Sequence, residues 1–399
     1  MYDVIVVGAR CAGSSLALLL ARRGHRILVV DRDAFPSDMT QSTHMVHPRG
    51  VACLARWGLR DEVAELGAPP VSRFAVDVGP FTLAGCSPAV DGESAGFAPR
   101  RILLDQVLVR AAAASGAEVR EGCRVARLTR DDGRVVGVEG TGADGSVFSE
   151  RARLVVGADG PGSRVAAESK ALELRSGPAL AGTAWVYWDG VPLDRVDLHL
   201  RAEEAVYAFP SSGCTLIGVN WSIERFHDAR KALDEGYDDI LTRLAPDLAQ
   251  LVARAERADA TTYRAATRSF VRKAFGPGWA LLGDAHHKKD PCTAQGITDA
   301  FCSAERLALA IDQGLRGARP LDDALADYES DRLAWLLPFL DLTTDMSRFA
   351  APTPEQAALY AALRQSPPDV EAFVGLITEA TQPAEFFAPR NVERILRGG

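Results

Sequence analysis

The sequence predicts an α/β protein. A three-layer domain with a buried parallel sheet is made discontinuous by an inserted antiparallel sheet and followed by a helical C-terminal segment. Three observations predict it. Unbroken apolar runs at residues 4–7 and 27–30 bracket a helical pattern, as expected for neighbouring parallel strands buried on both faces. Two similar strand-then-loop signals return much later, at residues 154–160 and 279–284. Between them lie segments in which apolar and polar residues alternate, the pattern of strands with two unlike faces.

Taken in order, Val4-Ile5-Val6-Val7 leads into Gly8-Ala9-Arg10-Cys11-Ala12-Gly13, and Leu16, Leu19 and Leu20 then follow at helical spacing. Arg22 and Arg23 complement the C-terminal end of that helix dipole, and Gly24 suits the C′ position. The second strand, 27–30, ends at Asp31. Residues 74–78 and 81–83 read as strands. A helix from Arg101 to Ala114 precedes a strand through Val119 and Val125. Val196, Leu198 and Leu200 alternate with Asp197 and His199, and residues 206–209 and 215–221 flank Pro210-Ser211-Ser212-Gly213 as in a hairpin. A long amphipathic helix presents Ala300, Phe301, Ala304, Leu307, Ala308 and Ile311 on one face. Beyond residue 320 the chain turns helical, punctuated by Pro338, Pro352, Pro354, Pro367 and Pro368. The expected division is 1–70, 100–170 and 275–320 for the first domain, 71–99 and 171–274 for the inserted sheet, and 321–399 for the helical segment. No internal repeat or low-complexity tract appears.

At 399 residues the chain has room for two or three domains. Its 47% hydrophobic residues can fill a large core. A formal charge of −8 and a pI near 5.5 argue against nucleic acid as the partner. The longest apolar runs, such as 16–21, are far shorter than a membrane span, and Met1-Tyr2-Asp3 has none of the features of a signal peptide. Seven scattered cysteines without a Cys-x-x-Cys pair fit a reducing, cytoplasmic setting and no structural zinc.

The glycine loop carries chemistry. A dinucleotide-binding turn needs glycine for its bend and for helix–strand packing, roles open to Gly8 and Gly13. It also needs an acid about 20 residues on to accept from a ribose hydroxyl, and Asp31 stands there. Arg10 replaces the glycine that would let the backbone approach a diphosphate; its guanidinium offers charge neutralisation instead. Asp31 would repel a 2′-phosphate, leaving NAD and FAD as the candidates for this loop.

The glycine fingerprint, the Arg101-Ile102-Leu103-Leu104-Asp105 helix start, Ala158-Asp159-Gly160, and Gly283-Asp284-Ala285 with Pro291 and Gly296 occur in order over roughly residues 1 to 310. Together they resemble the para-hydroxybenzoate hydroxylase superfamily of flavoproteins, which includes group A monooxygenases, geranylgeranyl reductases and flavin halogenases. The resemblance implies a Rossmann-like FAD-binding domain with FAD among Gly8, Ala12, Gly13, Asp31, Arg32, Arg101, Val125, Asp284, Gly296 and Ile297. It places Asp31 on the adenosine ribose, Arg101 along the phosphate and ribityl chain, Val125 at adenine and Asp284 on the ribityl hydroxyls. The helix opening at Gly296 would aim its positive end at the flavin pyrimidine. Family members usually carry glycine where this chain has Ala294, which should alter that loop slightly. Asp159 reads equally well as a turn cap.

His287 occupies a family position near the flavin and is the candidate catalytic residue, although packing against the cofactor is the more ordinary role. His286 and His287, being adjacent, are expected to point apart, and His44 and His47 lack a completing carboxylate, so no metal site is expected. His44, Trp188, Tyr207, Phe209 and Trp221 are the candidate substrate residues; core packing explains the aromatic ones equally well. Trp185-Val186-Tyr187-Trp188 does not meet the halogenase spacing Trp-x-Trp-x-Ile-Pro. The resemblance thus implies a monooxygenase in which transient NAD(P)H reduces FAD and O2 forms a C4a-hydroperoxide. That species would hydroxylate or epoxidise a small aromatic or polyketide-like molecule of secondary metabolism. The alternative is a dehydrogenase or double-bond reductase of the geranylgeranyl-reductase type; a halogenase or a non-catalytic flavin protein stands behind both. Monomer and homodimer both remain open.

Overall fold

The computed structural model describes residues 1–229, 232–265 and 268–398. Its first sheet runs, edge to edge, through Phe275–Gly276, Trp279–Leu281, Val147–Gly157, Tyr2–Val7, Ile27–Val30 and Glu118–Arg120. The Trp279–Leu281 to Glu118–Arg120 portion is parallel throughout. Alternation along its strands divides the core in two. Val4, Val6 and Val29 pack with Leu154 and Val156 under the helices Cys11–Ala21, Arg101–Ala114 and Gly296–Leu315. Ile5, Val7, Leu28 and Val30 pack on the other face under Leu128, Val135 and Val138. That third layer is an antiparallel ribbon, Arg124–Asp131, Arg134–Thr141 and the first part of Val147–Gly157, which the sequence reading did not resolve.

The expected strand through Val119 and Val125 is two strands. Gly122 takes a positive φ of 65°, and the Gly122 and Cys123 amides donate to the Asp33 and Asp31 carbonyls. The chain therefore turns at the end of the parallel sheet and enters the ribbon.

The second sheet has the order Glu256–Arg257, Ala181–Asp189, Thr215–Ser222, Glu204–Pro210, Val196–Arg201, Arg73–Asp77 and Thr82–Cys86, with Thr262–Ala265 also pairing with Ala181–Asp189. It is antiparallel with one exception: Val196–Arg201 pairs in parallel with Arg73–Asp77. The two strands lie far apart in sequence, so no hairpin dictates their relative direction.

One face of this sheet packs on the helices Leu233–Leu244 and Pro246–Val252. Its other face meets Leu359, Leu363, Val370 and Val374 from the C-terminal helices. The helix Leu321–Met346 runs straight through Pro338, which sequence reading placed as a break, and lies against the Gly296–Leu315 helix. Pro354 and Pro367 instead start helices, where a missing N–H costs nothing. Among the described residues, no helix is long and apolar enough to cross a membrane.

Candidate active site

Between the two sheets lies a continuous cavity of about 1190 Å³. Ligand pockets usually occupy about 300–1,000 Å³, so this one has room for more than one small molecule. Its first wall is the glycine loop. Gly8 has φ of 104°, and a Cβ there would sit 2.4 Å from the Ala158 carbonyl oxygen; a Cβ on Gly13 would sit 1.7 Å from the Gly8 oxygen. Both glycines are thus dictated by close backbone packing. Ala12 also lines the cavity, touching the space a Cβ on Gly283 would need.

Asp31 ends its strand with a buried carboxylate. Its oxygens accept from the Ala9 amide at 2.6 Å and the Asp33 amide at 2.9 Å, tying strand end to glycine loop. Burial pushes its pKa up, opposed by those amides. Arg32 beside it is exposed. Arg10 does not present a free guanidinium: it donates to Asp105 at 2.8 Å, Asp33 at 3.0 Å and the Ser37 hydroxyl at 2.9 Å. Arg10 thereby ties the glycine loop to Asp33, Ser37 and the helix that carries Asp105 while still lining the cavity.

Arg101 opens its helix and is buried. Its guanidinium grips Asp105 through two hydrogen bonds, at 3.0 and 2.9 Å, while its amide donates to Nδ1 of His44 at 3.1 Å. His44 therefore serves the helix N-terminus as an acceptor, in a backbone conformation with φ of 68°. Burial beside Arg101 and Arg100 drives its pKa down to about 3, so the imidazole is neutral. Asp105 was legible in the sequence only as part of the Arg101 motif; its central place follows from total burial between Arg10, Arg101 and Cys11.

Asp284 lies in a short turn after Trp279–Leu281, facing the cavity, and makes no hydrogen bond to the described residues. Burial raises its pKa against the pull of Lys288, His287, Arg264 and Arg101. Lys288, four residues on in the strand His287–Lys288, is the leading cation near it. Gly296 is the first residue of a 20-residue helix, and a Cβ there would meet nothing within 4 Å, so the N-terminus opens onto the cavity. Ile297 and Val125 complete the lining. Ala294, where the resemblance leads one to expect glycine, adopts φ of 53° in the left-handed region. Asp159 accepts from Ser163, Arg164 and Val165 and so caps the helix Arg164–Ser169.

His286 and His287 do not point apart. Their Nδ1 atoms are 3.3 Å from one another because His286 leaves a 3-10 turn rather than a regular strand. His287 lines the cavity, with Nε2 3.6 Å from Asp299, and burial lowers its pKa. Asp299 itself is held by Lys289 at 2.8 Å and Arg332 at 3.0 Å, and Lys289 also binds Glu379 at 3.0 Å. This buried network was invisible to spacing because its members come from three distant helices and loops. No group of His, Cys, Asp or Glu able to hold a metal occurs among the described residues.

The second sheet supplies the far wall. Tyr207 and Phe209 line the cavity, but Trp188 and Trp221, offered as substrate residues, do not. They lie on the opposite face, packed with Phe226, Ile240 and Leu244, and Trp188 donates to the Tyr237 hydroxyl at 3.2 Å. Strand alternation explains the error: Trp185 is three residues from Trp188, hence on the other face, and it is Trp185 that meets the cavity.

A continuous cradle of glycine loop, strand-end acid, unpaired carboxylate and open helix N-terminus is what an extended dinucleotide with ribityl hydroxyls requires. Residues 1–341 match the FAD binding domain family. The chain belongs to that family. It is similar to digeranylgeranylglycerophospholipid reductase 2 of Methanopyrus kandleri, with 28% identity over 325 residues covering 78% of each chain. It is also similar to a rifampicin monooxygenase of Streptomyces venezuelae, with 30% identity over 331 residues, 78% of this chain and 65% of that one. Among solved structures, the flavin-dependent brominase Bmp2 shares the fold with a TM-score of 0.82 at 20% identity, covering 99% of this chain and 98% of the brominase. The protein is a flavin-dependent oxidoreductase of this FAD-binding family.

Proposed function

We propose that the chain is an FAD-dependent monooxygenase that uses NAD(P)H and O2 to hydroxylate or epoxidise a small aromatic or polyketide-like molecule. The observation that carries this reading is the single cavity joining the FAD cradle to an apolar chamber, where Trp185, Tyr207 and Phe209 face Leu359, Phe373 and Ile377 of the C-terminal helices. Bound flavin supplies the redox and oxygen-activating chemistry. The protein's own residues do the rest. Asp31 and Asp284 accept from cofactor hydroxyls, and Asp105 fixes Arg101 beside them. The Gly296 helix N-terminus favours negative charge on the adjoining ring. The aromatic walls exclude water from the reacting centre, and His287, whose two ring nitrogens face His286 and Asp299, packs at the cavity wall rather than passing a proton into it. NAD(P)H is expected to bind transiently, since the cavity's one glycine loop is assigned to FAD.

Double-bond reduction is the second reading, favoured by similarity to the Methanopyrus kandleri reductase. An oxygen electrode separates the two. A monooxygenase consumes O2 together with NAD(P)H, and a bound substrate accelerates both; a reductase oxidises NAD(P)H against its substrate in the absence of O2.

A further inference from the structure

The wall of the chamber formed by the second sheet is largely apolar, with a neutral polar patch and two arginines, Arg201 and Arg264. Along its three central strands, Trp185 and Tyr207 flank Gly218 in register, and the next row places Thr183 and Ala205 on either side of Asn220. Asn220 is buried at 8% exposure and lines the cavity, yet its side-chain amide makes no hydrogen bond to the described residues. Its amide atoms are open to the cavity rather than sealed, so a ligand there meets an uncommitted donor and acceptor.

The neighbouring hydroxyls complete the patch. A Cβ on Gly218 would sit 2.1 Å from the Tyr207 ring, so the absence of a side chain there lets the ring lie across the strand. Its hydroxyl reaches Thr183 Oγ1 at 2.9 Å, and Thr183 is within 2.9 Å of the Val219 carbonyl oxygen. Thr183 must donate to that carbonyl, so Tyr207 donates to Thr183, and the Tyr207 oxygen keeps its acceptor capacity. Asn220 adds both a donor and an acceptor. Around them stand Leu198, Leu200, Phe209 and Phe349. Of the two cations this sheet brings to the cavity, Arg201 is committed to Asp77 at 3.0 Å, and Arg264, opposite Thr183, donates to the Gln41 carbonyl at 2.7 Å.

We propose that Asn220, with the Tyr207–Thr183 hydroxyl pair, is the polar anchor of the substrate chamber, taking a neutral hydroxyl or carbonyl group on an otherwise apolar ring system. The inference deepens the proposed function and rests on its placing the substrate in this chamber. Arg264, directly opposite Thr183, is the cation that would draw a carboxylate instead, and naphthoate binding separates the two.

Equilibrium dialysis of the purified, flavin-loaded protein with 2-naphthol, naphthalene and 2-naphthoate tests it without turnover. In the unaltered protein, 2-naphthol should bind at least about fivefold more tightly than naphthalene, the worth of a neutral hydrogen bond, and more tightly than naphthoate. Asn220→Leu should bring the naphthol-to-naphthalene ratio to within about twofold of unity while naphthalene binding persists, which also shows that the variant is folded. Tyr207→Phe should lower the same ratio if Asn220→Leu proves unstable. Equal binding of naphthol and naphthalene to the unaltered protein, an unchanged ratio in both variants, or tightest binding of naphthoate overturns the proposal. Failure of the monooxygenase reading would look different: no NAD(P)H-dependent O2 uptake, with the binding ratios intact.

Discussion

Arg101 and Asp105, one helical turn apart, form a two-pronged ion pair sealed inside the protein, with Nε 3.0 Å from Oδ1 and Nη2 2.9 Å from Oδ2. Asp105 is wholly buried and also receives Arg10. Removing the acid strands the buried Arg101, while Arg10 keeps Asp33. Asp105→Ala should therefore cost about 3–5 kcal/mol of stability, the usual penalty for breaking a buried pair. Asp105→Asn, which keeps one acceptor, should cost less. Chemical denaturation of the three proteins checks the order; equal midpoints would show that the pair is idle.

Asp31 links the glycine loop to the strand end through Ala9 and Asp33. FAD affinity should fall in the order wild type, Asp31→Asn, Asp31→Ala. The Asn variant should be milder by roughly 1 kcal/mol, the difference between charged and neutral hydrogen bonds. Flavin dissociation constants by fluorescence titration measure it, and three equal values would reduce Asp31 to a strand terminator.

For Asp284 the expected loss is about 1.5–3 kcal/mol of FAD binding on substitution by alanine, because a charged acceptor facing the cavity disappears. Its pKa is raised by burial, so the ionised, accepting form is depleted as pH falls. FAD affinity should therefore weaken toward acid pH in the wild type and depend less on pH in Asp284→Ala. An unchanged dissociation constant at neutral pH would exclude a cofactor contact.

Burial drives the pKa of His47 down to about 4 and that of His44 down to about 3. In the unfolded chain both titrate near 6.5. Between those values the unfolded state binds protons that the folded state refuses, so stability is full above about 6.5 and falls as pH drops below it. The slope should approach about 1.4 kcal/mol per pH unit for each imidazole. Denaturation at pH 7 and pH 5 should show this loss, and His47→Gln should shrink it. A loss of the same size in the variant would assign the acid sensitivity to other groups.

The parallel core was legible because its strands are buried on both faces and read as unbroken runs such as 4–7 and 27–30. The glycine loop was legible because backbone packing at Gly8 and Gly13 admits no side chain. What escaped depended on geometry across the chain. Trp188 and Trp221 have the composition of a pocket wall, but side-chain parity puts them behind the sheet. The convergence of Asp33 and Asp105 on Arg10 was likewise hidden, because the two acids lie far apart in sequence. The Lys289–Asp299–Glu379 network depends on the C-terminal helices folding back toward the Gly296 helix, which no local pattern encodes.

The central claim is that oxygen from O2 enters a substrate held in this chamber. Purified protein should be incubated with NAD(P)H and a panel of neutral hydroxylated or carbonyl-bearing aromatic compounds under ¹⁸O2, and the products weighed by mass spectrometry. The expected product carries one ¹⁸O atom for each NAD(P)H oxidised in coupled turnover. A product that gains two hydrogens, carries no ¹⁸O and forms equally well without oxygen would contradict it.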